Sequence, residues 1–145
     1  MSSVVISGDT SGSITLAAPS VAGSNVLTLP TATSTLSVLG TAQTYTAPQR
    51  GTITNNGASL SFNMNTTDNF SVTPTATGAL TFTNITAGQS GYILLVNSSN
   101  YAITAGSGTK VTSSLLATIS TTGTYLISYF SDGTNVYLTA SGALA

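Results

Sequence analysis

Residues 58–84, ASLSFNMNTTDNFSVTPTATGALTFTN, decide the fold class. Leu60, Phe62 and Met64 alternate with Ser61, Asn63 and Asn65. Phe70 and Val72 flank Ser71, and Leu80 and Phe82 alternate with Thr81 and Thr83. A period of two places one set of side chains on each face of a strand, so the stretch reads as three short strands with apolar inner faces. Asn55-Asn56-Gly57 just upstream has the composition of a type I′ hairpin turn.

The same texture continues downstream. GYILLVN (91–97) is apolar on both faces, which marks it as a central strand. LLATIS, TYLISYF and NVYLTA follow, the last two joined by Ser131-Asp132-Gly133-Thr134, a strong hairpin signal. No stretch has helical periodicity, and the chain has no Glu and a single Lys. About eight strands in residues 45–145 predict an all-β fold, an antiparallel sandwich of jelly-roll-like form.

Residues 1–44 read differently. Ile14 and Leu16, Leu27 and Leu29, and Leu36 and Val38 form short apolar-polar alternations, with Pro19 and Pro30 closing the first two. All six Tyr and all four Phe lie beyond residue 44. With aliphatic residues alone this segment predicts an extended arm that packs on something else. Ile14, Leu16, Leu27, Leu29, Leu36 and Val38 are the candidate interface residues.

Charge narrows the function. Asp9, Arg50, Asp68, Lys110 and Asp132 are the only charged side chains, giving a net charge of −1. Nucleic-acid binding needs several cations on one face, so it is not expected. The 28 Thr and 22 Ser replace charge as the wetting groups of the outer faces. Near-neutral chains with bare strand edges tend to self-associate, which points to edges covered in an oligomer. The first residues lack a signal-peptide pattern, and the longest apolar runs are far shorter than the roughly 20 residues of a membrane-spanning helix.

Catalytic chemistry has little to stand on. There is no His and no Cys, so the commonest general base, metal ligand and strong nucleophile are missing. Asp68 and Asp132 could form the carboxylate pair of a glycosidase only if folding joined them, and both sit in turn contexts. Lys110, in a Gly-Ser-Gly-Thr loop context, is the one lysine that could activate a serine. Neither an enzyme, a cofactor nor a metal site is expected. Asn65, Asn84 and Asn97 begin N-x-S/T triplets, as chance dictates in a chain this rich in Ser and Thr. Tyr45, Tyr101 and Tyr137 are conceivable sugar-stacking residues, though core or interface roles suit them better.

Three stretches carry a resemblance. APQRGTIT (47–54), DNFSVTPTATGALTFTNITAGQSGYILLV (68–96) and YLISYFSDGTNVYLTASGAL (125–144) resemble a module of tailed-bacteriophage virion structural proteins. SGSITLAAPSVAGSNVLTLPTATSTLSV (11–38) is similar to N-terminal segments found with it. The resemblance implies a non-enzymatic homotrimer: a capsid decoration (cement) protein on the outer capsid surface, partnered by the major capsid protein. Residues 45–145 would be the trimerisation module. The alternative it implies is a tail-fibre or appendage subunit that recognises a host glycan.

Overall fold

The computed structural model describes residues 3–7, 9–17, 20–21, 23–24 and 48–144. The chain divides into two units, residues 1–44 and 45–145.

In the first unit β1 (Ser3–Ser7) and β2 (Ser13–Ala17) form an antiparallel hairpin. Ser3 pairs with Ala17 and Ser7 with Ser13. Gly12 in the connection has φ of 79°, a left-handed conformation that glycine adopts without steric cost. Val4, Val5, Ile6 and Leu16 are each at least half exposed.

The second unit holds nine strands and one helix among its described residues. β3 (Ile53–Asn55), β5 (Asn69–Val72) and β7 (Ser90–Asn97) pair in parallel. β4 (Ser61–Asn63), β6 (Gly78–Thr83) and β8 (Ile103–Ala105) pair in parallel in a second sheet. The chain therefore alternates between two layers, each pass lying beside the previous one, in a solenoid-like winding. β9 (Thr109–Lys110), helix α1 (Ser113–Ile119), β10 (Gly123–Ser131) and β11 (Val136–Ala140) complete the unit. β10 and β11 extend the first sheet antiparallel and β9 closes its edge, in the order β3-β5-β7-β10-β11-β9.

The expected inward residues are buried. Phe62, Leu80, Phe82 and Ile103 from the three-stranded layer meet Phe70, Val72, Ile93, Leu95, Tyr125, Ile127 and Val136 from the six-stranded one. Phe62 and Phe82 are register partners with ring centroids 5.3 Å apart, and Phe62 meets Phe70 edge-on at 5.2 Å. Burying each such side chain contributes about 1.5–3 kcal/mol.

Three expectations change. The all-β class holds, but the strand pairing is mixed and largely parallel rather than that of an antiparallel jelly roll. Alternation specifies which face is buried, not which strand is the neighbour. The Asn55–Gly57 turn is not a hairpin. Gly57 has φ of 58° and its N–H donates to Asn55 Oδ1 at 2.9 Å, but the chain then crosses to the other layer. The turn is held to the next coil by Asn56 N–H to Ser71 O and Thr73 N–H to Gly57 O, both 2.8 Å. LLATIS is helical, not extended. Thr112 caps α1 by accepting from the Leu115 N–H at 3.2 Å, and Leu115, Leu116 and Ile119 turn inward. The Ser131–Thr134 hairpin forms as expected, with Ser131 paired to Val136 and Gly133 at φ of 95°.

Candidate functional site: the outer faces of the two sheets

Asp68 and Asp132 lie in separate connections of the second unit, before β5 and between β10 and β11. Asp132 lies in the β10–β11 turn, where it accepts from the N–H groups of Asn135 at 2.7 Å and Thr134 at 2.8 Å and from the Tyr137 hydroxyl at 2.9 Å. These bonds, that of Asn135 foremost, hold its carboxyl well below the usual range, and the same contact raises Tyr137. Asp68 precedes β5. Its Oδ1 accepts from Gln89 Nε2 at 2.9 Å, and its carbonyl accepts from the Tyr129 hydroxyl at 2.8 Å. Burial, then the Asp68 charge, pushes Tyr129 up to about 12. Gly91 packs on that carbonyl: a Cβ there would lie 1.7 Å from the oxygen. Both carboxylates are thus committed to local turns and packing. Among the described residues no group of three or more metal-ligating side chains occurs, and no helix is long and apolar enough to cross a membrane.

Of the expected interface residues, Ile14 and Leu16 lie on β2, where Leu16 is exposed and Ile14 pairs in register with Ile6. Leu27, Leu29, Leu36 and Val38 lie outside the described residues, as does Tyr45. Tyr137 is exposed and Tyr101 half-buried. Asn97 is fully buried, so its triplet is no modification site in the folded chain.

The two outer faces of the second unit differ sharply. The three-stranded layer presents Ser61, Asn63, Thr83 and Thr104 to solvent, the wet Ser/Thr/Asn surface the composition predicts. The six-stranded layer presents Ile53 at 71% exposure, Tyr92 at 53%, Leu94 at 38%, Leu126 at 42%, Phe130 at 51% and Tyr137 at 45%. Polar side chains of the same face interleave with these: Ser128 lies opposite Tyr92, Ser90 opposite Phe130, and Asn69 between Ile53 and Tyr92. Leu94 pairs with Leu126, Phe130 with Tyr137, and Asn69 with both Ile53 and Tyr92. Between the taller side chains of β3 and β7, the short Asn69 and Ser71 of β5 leave a trough of about 550 Å³ bounded by Ile53, Tyr92, Leu94 and Leu126.

β7 is central, as its two-sided apolar pattern predicts, but nothing among the described residues of the second unit covers its outer side. The signal was present in the sequence: Tyr92 and Leu94, and Leu126 and Phe130, occupy the outward phase of their strands. Reading both phases as buried concealed it.

Comparison with known protein families, curated proteins and solved structures finds no match to this chain.

Proposed function

We propose that this protein is a non-enzymatic structural component of a tailed-phage virion. In this reading it is a capsid decoration protein that binds the assembled head as a homotrimer, on the outer capsid surface, through the major capsid protein. The observation that carries the reading is the hairpin of residues 3–17. A two-stranded ribbon is marginal in water by itself, yet this one exposes Val4, Val5, Ile6 and Leu16. Such a ribbon suits a docking arm, which gains backbone pairing and apolar burial when it meets a partner sheet.

The mechanism is mass action. A subunit that binds only the assembled shell stabilises it by the free energy of binding, with no chemistry required. Five charged side chains in 145 residues leave little for salt to screen, so attachment is expected to survive high ionic strength.

A second reading, a tail-fibre or appendage subunit that holds a host glycan, rests on exposed Tyr92 and Tyr137 as stacking surfaces. Cryo-electron microscopy of intact particles separates the two. Density in many copies on the shell, persisting after a 1 M salt wash, supports decoration. Density confined to the tail supports the second reading, and absence from particles refutes both.

A further inference from the structure

We infer that Asn56–Gly57 is a latent self-modification site. The first coil of the second unit holds it unreactive, and its conversion to aspartate or isoaspartate releases that coil irreversibly. The inference stands on the turn between β3 and β4 and does not depend on the virion reading.

The sequence singles out the pair. Of the ten Asn residues, Asn56 is the one followed by Gly. A backbone nitrogen can attack the side-chain carbonyl carbon of the Asn before it, and glycine, having no Cβ, leaves that nitrogen least hindered. Apart from chain neighbours, no described heavy atom lies within 4 Å of where a Cβ on Gly57 would stand, so water reaches the turn.

The reaction needs no enzyme, metal or oxidant. The Gly57 nitrogen bonds to Asn56 Cγ, the Cγ–Nδ2 bond breaks, and ammonia leaves with the proton that Gly57 gives up. A five-membered cyclic imide results. Water then opens it. Attack at Cγ gives aspartate, and attack at the main-chain carbonyl gives isoaspartate.

The fold occupies every group that the first step uses. Asn56 Nδ2 donates to the Ser59 carbonyl at 2.6 Å and to the Ser61 carbonyl at 2.8 Å, which engages both amide hydrogens and anchors the side chain at the start of β4. The nucleophile is engaged as well, because the Gly57 N–H donates to Asn55 Oδ1 at 2.9 Å. On either side, the Asn56 N–H to Ser71 O and Thr73 N–H to Gly57 O bonds pin the main chain to the next coil, so closing the ring requires the turn to open. Each of the three bonds to the reacting groups favours the closed turn by about twofold to tenfold, or roughly a hundredfold together.

The same contacts make the product disruptive. Aspartate turns a carboxylate oxygen toward the two carbonyls that have lost their donor. Isoaspartate also routes the main chain through the side chain, which inserts one methylene and shifts the bonds to Ser71 and Thr73. Since ammonia is gone, refolding does not restore the amide. The turn therefore records, in one direction, how often the first coil opens.

The test ages the full-length chain at mildly alkaline pH, folded in buffer and unfolded in guanidinium chloride. Tandem mass spectrometry of the tryptic fragment 51–110 locates the converted residue. Conversion at Asn56 is expected to lead all other Asn residues in the unfolded chain and to run roughly a hundredfold slower in the folded one. Asn55→Ala frees the Gly57 N–H and leaves the Asn56 bonds in place. It is expected to raise the folded rate about fivefold and to leave the unfolded rate unchanged. Equal rates in the two states overturn the inference, as does a folded rate indifferent to Asn55→Ala.

Asn56→Asp supplies the product directly and is expected to lower the urea midpoint; an unchanged midpoint overturns the release of the coil. If Asn55→Ala fails to fold, wild type decides. Its conversion rate at rising, sub-denaturing guanidinium should climb in parallel with hydrogen exchange of the Gly57 amide, which reports local opening. Conversion that does not follow that exchange overturns the gate.

Discussion

Replacing Asn97 with Ala should cost about 3 kcal/mol of stability. Asn97 ends β7 and is fully buried. Its Nδ2 donates to the Ile119 carbonyl at 3.0 Å and the Tyr101 carbonyl at 2.8 Å, and its Oδ1 accepts from the Tyr101 N–H at 3.0 Å. One side chain thereby ties the central strand, the turn leading to β8 and the C-terminus of α1. Truncation strands the buried Ile119 carbonyl, at about 1–3 kcal/mol, and removes bonds to half-buried Tyr101 worth about 0.5–1.5 kcal/mol each. A loss near 3 kcal/mol would lower the midpoint of thermal unfolding by about 12–24 °C for a unit of this size.

Urea titration followed by circular dichroism measures the change directly. Asn97→Asp provides the decisive control. It keeps the acceptor but turns an oxygen toward two carbonyls, so its carboxyl is raised in the folded state above the unfolded value of about 3.9. Stability associated with a raised group is present below the unfolded value and is lost as pH rises through the folded one. The deficit of Asn97→Asp relative to wild type should therefore be small at pH 3 and widen towards pH 7. A cost below about 1 kcal/mol for Asn97→Ala, or a gap that does not change with pH, refutes the clamp.

Three further outcomes are expected. Phe62→Ala should destabilise by about 3–5 kcal/mol in the same titration, since it empties the space between Phe70 and Phe82 at the centre of the two layers. Tyr129 should ionise only near pH 12, so absorbance at 295 nm should show a late step that Tyr129→Phe removes; because the folded value is raised, its stabilising effect is full below about pH 10 and lost as pH rises through 12. Trypsin has only Arg50 and Lys110 as sites; Arg50 lies in exposed non-strand chain and Lys110 in a paired strand, so mass spectrometry should find the 51–145 fragment first, and early cutting at Lys110 with Arg50 intact would contradict the placement of β9.

Much of the core was legible because alternation reports burial directly. Leu60, Phe62, Met64, Phe70, Val72, Leu80 and Phe82 all face inward where the period of two places them. The winding was not legible. Ile53 pairs with Asn69 and Asn69 with Tyr92, so successive coils use unequal lengths of chain and leave no fixed repeat to detect. Helix α1 escaped because seven residues offer barely two turns of periodicity, and its cap, Thr112, sits in a run of Thr and Ser that recurs along the chain. The exposed apolar residues of the six-stranded sheet were half legible. Apolar residues in the outward phase of β7 and β10 are visible in the sequence, but whether another layer covers them depends on the fold. Leu27, Leu29, Leu36 and Val38 fall outside the described residues, so the structure speaks to the arm only through its first hairpin.

The coiled arrangement of β3 to β8 carries a consequence for how such a chain can change size. Each pass through both layers adds one strand to each sheet and raises the stack by one strand spacing, about 4.8 Å. The end at β8 is occupied by α1 packed beside it, whereas among the described residues β3 and β4 lie at the edges of their sheets. Height is therefore quantised in whole coils, and the β3–β4 end is where a coil can be added without displacing α1. Insertions shorter than a coil must be absorbed in the turns, such as residues 84–89 between β6 and β7, without altering the height of the stack.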